Sequence, residues 1–405
     1  MEILFIVPYV PNLIRVRSYN LIRGLSARGH RLTVLTVWTD EREREEVERL
    51  RHYCSSVQAV YLPAWRSWLN CLQSLPGTIP LQAMYSWQPE LMAYIAGAEF
   101  KADVVHIEHL RGAPYGLYLK SQLAKAGRRI PVIWDSVDCI SLLFRQAAGR
   151  STKPFSRWIT RFELSRTEQY EGWLLGQFDQ VLVTSLADKE ALLSLLPPEQ
   201  EFSSISILPN GVDLDYFGSD SDGVREAATL VISGKMSYHA NVTMLMYFVH
   251  EILPLIQARR PDVKLCVVGK DPPREVRALA QNPSIFVTGS VPDIRPYLRR
   301  ATVAVAPLTY GAGIQNKVLE AMACATPVVS TPQAVSALGV LPGRDVLVAR
   351  EPEAFAEAVL DLLESPQRQR QVGEAGRRYV ETHQPWAAIA AQLEEVYNEV
   401  ISVRC

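Results

Sequence analysis

Two doubly wound α/β domains in tandem are the fold class that this 405-residue sequence predicts. Three observations carry that expectation. A β-α-β pattern opens the chain, the pattern restarts after residue 223, and a segment rich in Gly, Asp and Ser separates the two. Strand and helix alternating at this spacing favour parallel sheets with right-handed crossovers.

Glu2 to Tyr9, EILFIVPY, is a short apolar run ended by proline and reads as a buried strand. RSYNLIRGLSARGH follows, with Leu21, Ile22 and Leu25 on one helical face and Gly29 as the stop. RLTVLTVW is the next strand, and ADVVHIEH, RIPVIWDS and DQVLVTS repeat the pattern. A helical stretch rich in Arg, Glu and Trp, roughly Phe155 to Leu175, lies between the last two. PNGVDLDYFGSDSDG, residues 209–223, reads as a linker. After it come ATLVISG, VKLCVVG, SIFVTGS, ATVAVAP, TPVVST and DVLVA, most of them separated by helical segments. The last helix, Trp386 to Val400, puts Ile389, Leu393, Val396 and Tyr397 on one face. Ligands of open parallel sheets bind beyond the C-terminal ends of the strands, so functional residues are expected just after strands.

Composition narrows the function. Hydrophobic residues make up 48% of the chain and charged residues 21%, which is globular. Lys plus Arg is 42 and Asp plus Glu is 43, for a net charge of −1. The basic field that a nucleic-acid partner needs is missing. Glu2 opens the first strand without a basic n-region, so no secretory signal is expected. No apolar run reaches the roughly 18 residues of a membrane span. The scattered cysteines have no CxxC spacing and read as free thiols of a reducing cytosol. The histidines form no metal-ligand pattern, and no metal is expected.

The stretch YGAGIQNKVLEAMACATPVVS, residues 310–330, carries the chemistry. The strand ATVAVAPLTY ends at Pro307. Gly311 and Gly313 then frame Ala312, and a helix is expected from about Ile314 to Cys324. Glycines let a backbone approach a ligand closely. A helix N-terminus presents unpaired N–H groups and about half a positive charge, which suits phosphate. Lys317 adds a cation, and Glu320 lies one turn further on the same face, where its carboxylate can accept two hydrogen bonds from a ribose diol. As a plain surface pair the two would contribute only about 0.2–0.5 kcal/mol. Their place after a strand favours a nucleoside diphosphate instead.

GAGIQNKVLEAMACATPVVST, with PNGVD upstream and VVG between, resembles the C-terminal half of GT-B glycosyltransferases. The resemblance is to the large retaining family of group 1, or family 4-like, enzymes, and among bacterial members to sugar transferases of exopolysaccharide clusters. It is strong from about Val181 to Tyr397 and weaker before. It implies an acceptor-side domain over 1–205, a nucleotide-sugar domain over 206–385 and a last helix, 386–405, that packs back on the first domain. Domain closure would complete the site. It implies no cofactor. The donor would be a nucleoside-diphosphate sugar and the acceptor a glycan or a lipid-linked acceptor. The setting would be the cytoplasm, with peripheral contact at the inner membrane surface.

Matched position by position, the resemblance implies that Glu320 holds the ribose. Gly311, Ala312, Gly313, Ile314, Gln315 and Asn316 form the loop that meets sugar and phosphate. Gly234 and Lys235 bind the diphosphate, and Gly269 and Val291 lie in turns near the nucleoside. Asp135, with Asp138 nearby, stands where the family has its catalytic histidine. Three positions depart from the pattern. Ala312 replaces the first of the family's paired glutamates, and Asn241 replaces the second basic residue of the diphosphate site. The first loop, PYVPNLIRVRS, contains no glycine, which leaves Arg15 or Arg17 to act there. Lys317 would supply the lost charge. With Lys235 and the helix start, it would stabilise the departing diphosphate in a same-face, retaining transfer. Asp135 would orient sugar or acceptor, or cap the next helix.

His106 and His109, with Glu108 and Arg111, follow a strand and are candidates on the acceptor side. Asp213 and Asp215 have DxD spacing but lie among turn residues. No GxGxxG follows the first strand, which speaks against a nicotinamide or flavin enzyme. RSTKPFSRWITRFELSRTEQ and PAWRSWLNCLQSLPG mix aromatics with cations and read as solvated faces or as contacts with an anionic membrane. Two alternatives stay open: a sugar-nucleotide epimerase on the same fold, and a non-catalytic partner of another transferase.

Overall fold

A computed structural model describes residues 1–150, 154–197, 199–202, 204–218, 225–311 and 313–403, without the side chains of 147–150 and 154–160. The chain forms two compact units. One comprises Met1–Pro209 and Trp386–Cys405, the other Asn210–Pro385.

The first unit is built on strands β1 (Glu2–Val7), β2 (Arg31–Trp38), β3 (Ser56–Tyr61), β4 (Val104–Glu108), β5 (Val132–Val137), β6 (Gln180–Val183) and β7 (Ile205–Ile207). Their order is β3-β2-β1-β4-β5-β6-β7, and every pairing is parallel. Side chains alternate across a strand, so β1 feeds two cores. Leu4 and Ile6 join Val105, Ile107 and Trp134 on one face. Ile3, Phe5 and Val7 join Leu21, Ile22 and Leu25 on the other. That second core also takes Trp386, Ile389, Leu393, Val396 and Tyr397 from the last helix, Trp386–Ser402. The helix packs so tightly on the helix Val16–Ala27 that a Cβ on Gly24 would stand 2.5 Å from the Ala390 Cβ.

The second unit holds β8 (Thr229–Ser233), β9 (Lys264–Val268), β10 (Ile285–Gly289), β11 (Val303–Ala306), β12 (Val328–Ser330) and β13 (Leu347–Val348). The order is β10-β9-β8-β11-β12-β13, again parallel throughout. Both sheets are the expected doubly wound kind. Each reverses its strand order once, at β1/β4 in the first unit and at β8/β11 in the second. Such a reversal opens a crevice beyond the strand ends. Among the described residues, no helix is long and apolar enough to cross a membrane.

Candidate functional site

In the second unit the expected phosphate residues lie on both sides of the β8/β11 reversal. Gly234 and Lys235 follow β8, and the loop from Pro307 to Gln315 follows β11. Gly234 has φ +144°, a backbone that L side chains rarely adopt, and a Cβ there would meet Asn241 Nδ2 at 2.9 Å and Lys317 Cε at 3.5 Å. The turn, Asn241 and Lys317 therefore converge. Asn241 is 5% exposed, and its Nδ2 donates to the Lys235 carbonyl at 2.9 Å. The residue that replaces a family cation thus braces the turn while Lys235 stays exposed. Gly269 locks the neighbouring strand end, because a Cβ there would fall 1.7 Å from the Gly234 carbonyl oxygen.

The helix after the loop runs Asn316–Ala323, a little shorter than expected, and no side chain caps its start at Gln315. Lys317 donates to Gln315 Oε1 at 2.9 Å. Burial lowers the Lys317 ammonium to about 8 against the opposing pull of Glu320. Burial likewise raises the Glu320 carboxyl to about 7, opposed by Lys317. Each group thus changes charge near physiological pH, so an incoming anion shifts the balance of both. Among the described residues, the buried oxygens Asn241 Oδ1, Thr309 Oγ1 and Asn316 Oδ1 make no hydrogen bond. Thr309 lies in the loop after β11 and Asn316 opens the helix, and unpaired buried polar oxygens at such places suit ligand hydroxyls. Gly311, Gly313 and Ile314 complete the loop, and Gln333 Nε2 holds the Gly311 carbonyl at 2.7 Å. Ala312 lies outside the described residues. Val291 lies two residues past the end of β10 and lines a cavity of about 500 Å³ with Cys266, Phe286 and Asp293.

Sequence reasoning missed Tyr310 and His239. The Tyr310 hydroxyl bonds to His239 Nδ1 and lies 3.4 Å from Thr243 Oγ1, which joins the β11 loop to the helix after β8. A tyrosine directly before Gly311 was visible in the sequence, but its partner was not.

In the first unit the expected acceptor-side residues separate into an interior group and a strand-end group. Arg17 Nε donates to Asp135 Oδ2 at 2.8 Å and Nη2 donates to Oδ1 at 3.1 Å. Asp135 is fully buried. Burial alone would raise its carboxyl, but Arg17 and His106 outweigh burial and hold it below the usual value. His106 Nε2 lies 3.5 Å from Asp135 Oδ2, and its Nδ1 meets the Tyr397 hydroxyl at 2.9 Å. His106 has no exposed surface either. Asp135, Arg17 and His106 are therefore interior residues that tie β4 and β5 to the first and last helices, not groups facing a substrate. Asp135 does not cap the next helix; its Oδ1 accepts from Val137 N within its own turn, at 3.1 Å. Arg15 pairs with Glu43 at 2.9 Å and stacks over the Tyr9 ring at 4.7 Å.

The strand-end group is His109, Glu108 and Asp138. His109 has φ +66° just past β4, and Val137 has φ +68° at the end of β5. A left-handed β-branched residue is a strained position, and strain of this kind gathers at functional sites. His109 Nδ1 accepts from Arg111 N at 3.2 Å, which leaves the ring proton on Nε2. Burial, then Arg111, lowers His109 to about 3, so the ring is neutral at pH 7. Glu108 is buried, accepts from the Tyr9 hydroxyl, and is raised by burial to about 7. Asp138 is raised by burial and by the neighbouring Asp188.

Other expectations also meet the structure. Asp213 Oδ1 accepts from Tyr216 N at 3.0 Å, a turn role. In the run 150–169, part of the chain lies outside the described residues. Arg166 is buried and turned onto the carbonyls of Gly77 and Ile79 at 2.7 and 2.6 Å, not towards solvent.

With this geometry in hand, the chain compares as follows with known proteins. A family model for glycosyl transferases group 1 matches residues 227–365, and one for a glycosyl transferase 4-like domain matches residues 14–211. The chain belongs to the group 1, 4-like glycosyltransferases. It is 30% identical over 276 residues to an alpha-maltose-1-phosphate synthase of Mycolicibacterium smegmatis, covering 60% of this chain and 66% of that one. It is 28% identical over 220 residues to a GDP-mannose-dependent alpha-(1-6)-phosphatidylinositol monomannoside mannosyltransferase of the same organism, covering 48% of this chain and 56% of that one. The match thus spans somewhat more than half of these curated relatives. Among solved structures, sucrose-phosphate synthase from Thermosynechococcus elongatus superposes with TM-score 0.72 at 19% identity, covering 100% of both chains. That likeness concerns the fold, which is of the GT-B class.

Proposed function

We propose that this chain transfers a sugar from a nucleoside-diphosphate sugar to a glycan or lipid-linked acceptor, with retention and without a metal. One observation carries the reading. The Gly234 turn, Asn241 and Lys317 converge at the β8/β11 reversal, beside an uncapped helix start and with Glu320 one turn on. Diphosphate would sit between the Gly234–Lys235 turn and the first N–H groups of the helix, with Lys317 on its outer oxygens. The ribose diol would reach Glu320. As the glycosidic bond to the diphosphate breaks, charge grows on the leaving oxygen, where Lys317, Lys235 and the helix start would stabilise it. The acceptor hydroxyl would attack from the same face and pass its proton to the leaving phosphate.

His109 and Asp138 take the acceptor-side role in this reading, because they are the expected residues at the strand ends that are only half-buried. Asp135 then acts by fixing Arg17 and the β5 end. In this reading the reaction takes place in the cytoplasm, at the inner membrane face when the acceptor is lipid-linked. The exopolysaccharide or cell-envelope setting is part of the same proposal.

A thermal-shift panel of UDP, GDP, ADP and TDP, each with its sugars, tests the reading with and without divalent metal. GDP is included because one relative is named for GDP-mannose. A ligand at a hundredfold excess over its Kd stabilises by about 2.7 kcal/mol. The expected result is a selective, metal-independent shift that Glu320→Ala removes. A shift with no nucleotide, or one that survives Glu320→Ala unchanged, refutes the assignment.

A further inference from the structure

We propose that the cavity of about 500 Å³ beside β9 and β10 is a second ligand site, built for a small aromatic carboxylate. The inference goes beyond the donor reading and does not rest on it. The lining residues all belong to the second unit, and Gly234, Lys235, Lys317 and Glu320 are not among them.

The cavity follows from how the sheet ends. Parallel pairing sets Phe286 beside Cys266 and Cys266 beside Val231, so the three side chains share one face. On the opposite face Leu265 and Val267 are fully buried. On this one, Cys266 is half-buried and the Phe286 ring is 62% exposed. The chain returns from β10 to β11 through the helix Arg295–Arg300, which spans only six residues. Pro296 and Tyr297 of that helix line the cavity opposite the strands, with Val291 and Pro292 from the turn before it. The helix is too short to fill the space between. A hollow of this size with apolar walls and a few polar groups at its margin has the dimensions of a small-molecule site.

The walls decide the body of the ligand. Two aromatic rings, two prolines and a thiol present flat, polarizable surfaces, which suit an aromatic ring better than a flexible chain. Burial pushes the Cys266 thiol up to about 11, so it stays neutral and counts as apolar surface. Charge decides the other end. Glu226 Oε1 lies 4.0 Å from Arg300 Nη1. Asp293 is held by Arg295 at 2.7 Å and accepts from the Tyr216 hydroxyl at 3.2 Å. Asp262, two residues before Lys264, is paired with Arg260 at 2.8 Å. Among the described residues, the exposed Lys264 ammonium forms no ion pair and no hydrogen bond. The margin thus offers one uncommitted cation, and a single carboxylate on the ligand complements it.

The test is a ligand-observed NMR titration of the full chain with 2-naphthoate, its neutral analogue 2-naphthamide, and decanoate. 2-Naphthoate should bind most tightly of the three. Phe286→Ser should weaken it about tenfold. Lys264→Met should weaken 2-naphthoate about two- to fivefold and leave 2-naphthamide unchanged. Both positions are exposed, so both variants should melt with the unsubstituted chain. Saturating UDP or GDP should not displace the probe. No binding below about 1 mM, or binding that survives Phe286→Ser, overturns the proposal. Equal affinity for the carboxylate and the amide overturns the charge assignment, and tighter binding of decanoate overturns the aromatic one. Displacement by nucleotide overturns the separate site. So does a concentration-dependent dimer that Phe286→Ser dissolves and 2-naphthoate does not, since the hollow would then seat a second copy.

Discussion

Lys317→Met strikes the proposed donor site at a half-buried cation. Lys317 Cε stands 3.5 Å from the position that a Cβ on Gly234 would occupy, which brings the ammonium to the turn assigned to phosphate. A hydrogen bond to a charged partner contributes about 1.5–3 kcal/mol, or roughly 10- to 150-fold in Kd. The loss should fall on the diphosphate and spare most of the affinity for the monophosphate of the same base. The pH dependence is a second signature. The ammonium titrates at about 8 in the free protein. A bound anion favours the charged form, so the bound value is higher than the free one. Affinity is then full below about 8 and falls as pH rises through it, by at most about tenfold per unit. Methionine has no proton to lose, so the alkaline limb should vanish. Isothermal titration of diphosphate and monophosphate from about pH 6 to about pH 9 reads both effects. Equal losses for the two nucleotides, or an alkaline limb that persists in the variant, would refute the placement of Lys317 on the phosphate.

Three further outcomes follow from the same geometry. Glu320 is raised to about 7, so nucleotide affinity should fall as pH drops through that value, and Glu320→Gln should abolish this acid limb; a limb that remains means another group binds the ribose. Asp135→Asn leaves the Arg17 guanidinium buried without its counter-charge and should cost about 3–5 kcal/mol in urea unfolding. Because the Asp135 carboxyl is held below its usual value, that stability is present above about pH 4 and is lost as pH falls through the folded-state pKa; a loss under about 1 kcal/mol would show the pair to be dispensable. Glu108 is raised instead, to about 7. Its neutral form favours the fold, so its contribution declines as pH rises from about 4 to about 7. Glu108→Gln should flatten that decline, and an unchanged pH–stability curve would count against a buried, protonated Glu108.

Much of the fold could be read from the sequence, because parallel strands buried on both faces are near-continuous apolar runs. EILFIV, RLTVLTVW and KLCVV announce themselves in this way. β3 and β7 were missed for the same reason. β3, SVQAVY, is an edge strand with only Val57 and Val60 buried, and β7 spans three residues at the other edge. At the proposed donor site, the placing of Gly234, Lys317 and Glu320 at strand ends was legible because a turn glycine and a helix start lie next to strands in the sequence itself. The acceptor side was not. Asp135 and His106 look like strand-end polar residues in a one-dimensional reading. Their burial depends on Arg17, 118 positions away from Asp135, and on Tyr397, 291 positions away from His106. No local pattern encodes such pairs. The helix at Ala64–Ser74 has a plain apolar periodicity whose face points away from the core, in keeping with the solvated face that its mixture of aromatics and cations suggested.

The return of the last helix has a consequence for how the chain is made. The first unit's core is incomplete without Trp386, Leu393 and Tyr397, and the whole second unit is inserted before them. Val212 bridges Pro385, and its N–H meets the Gln384 carbonyl at 2.8 Å, so the insertion enters and leaves at one point. On the ribosome the earlier segment therefore waits, with part of one sheet face uncovered, while the later unit can close on itself. Chains released after residue 385 should show a protease-resistant second unit and a labile first one. Equal resistance of both would mean that the final helix merely decorates a core already complete.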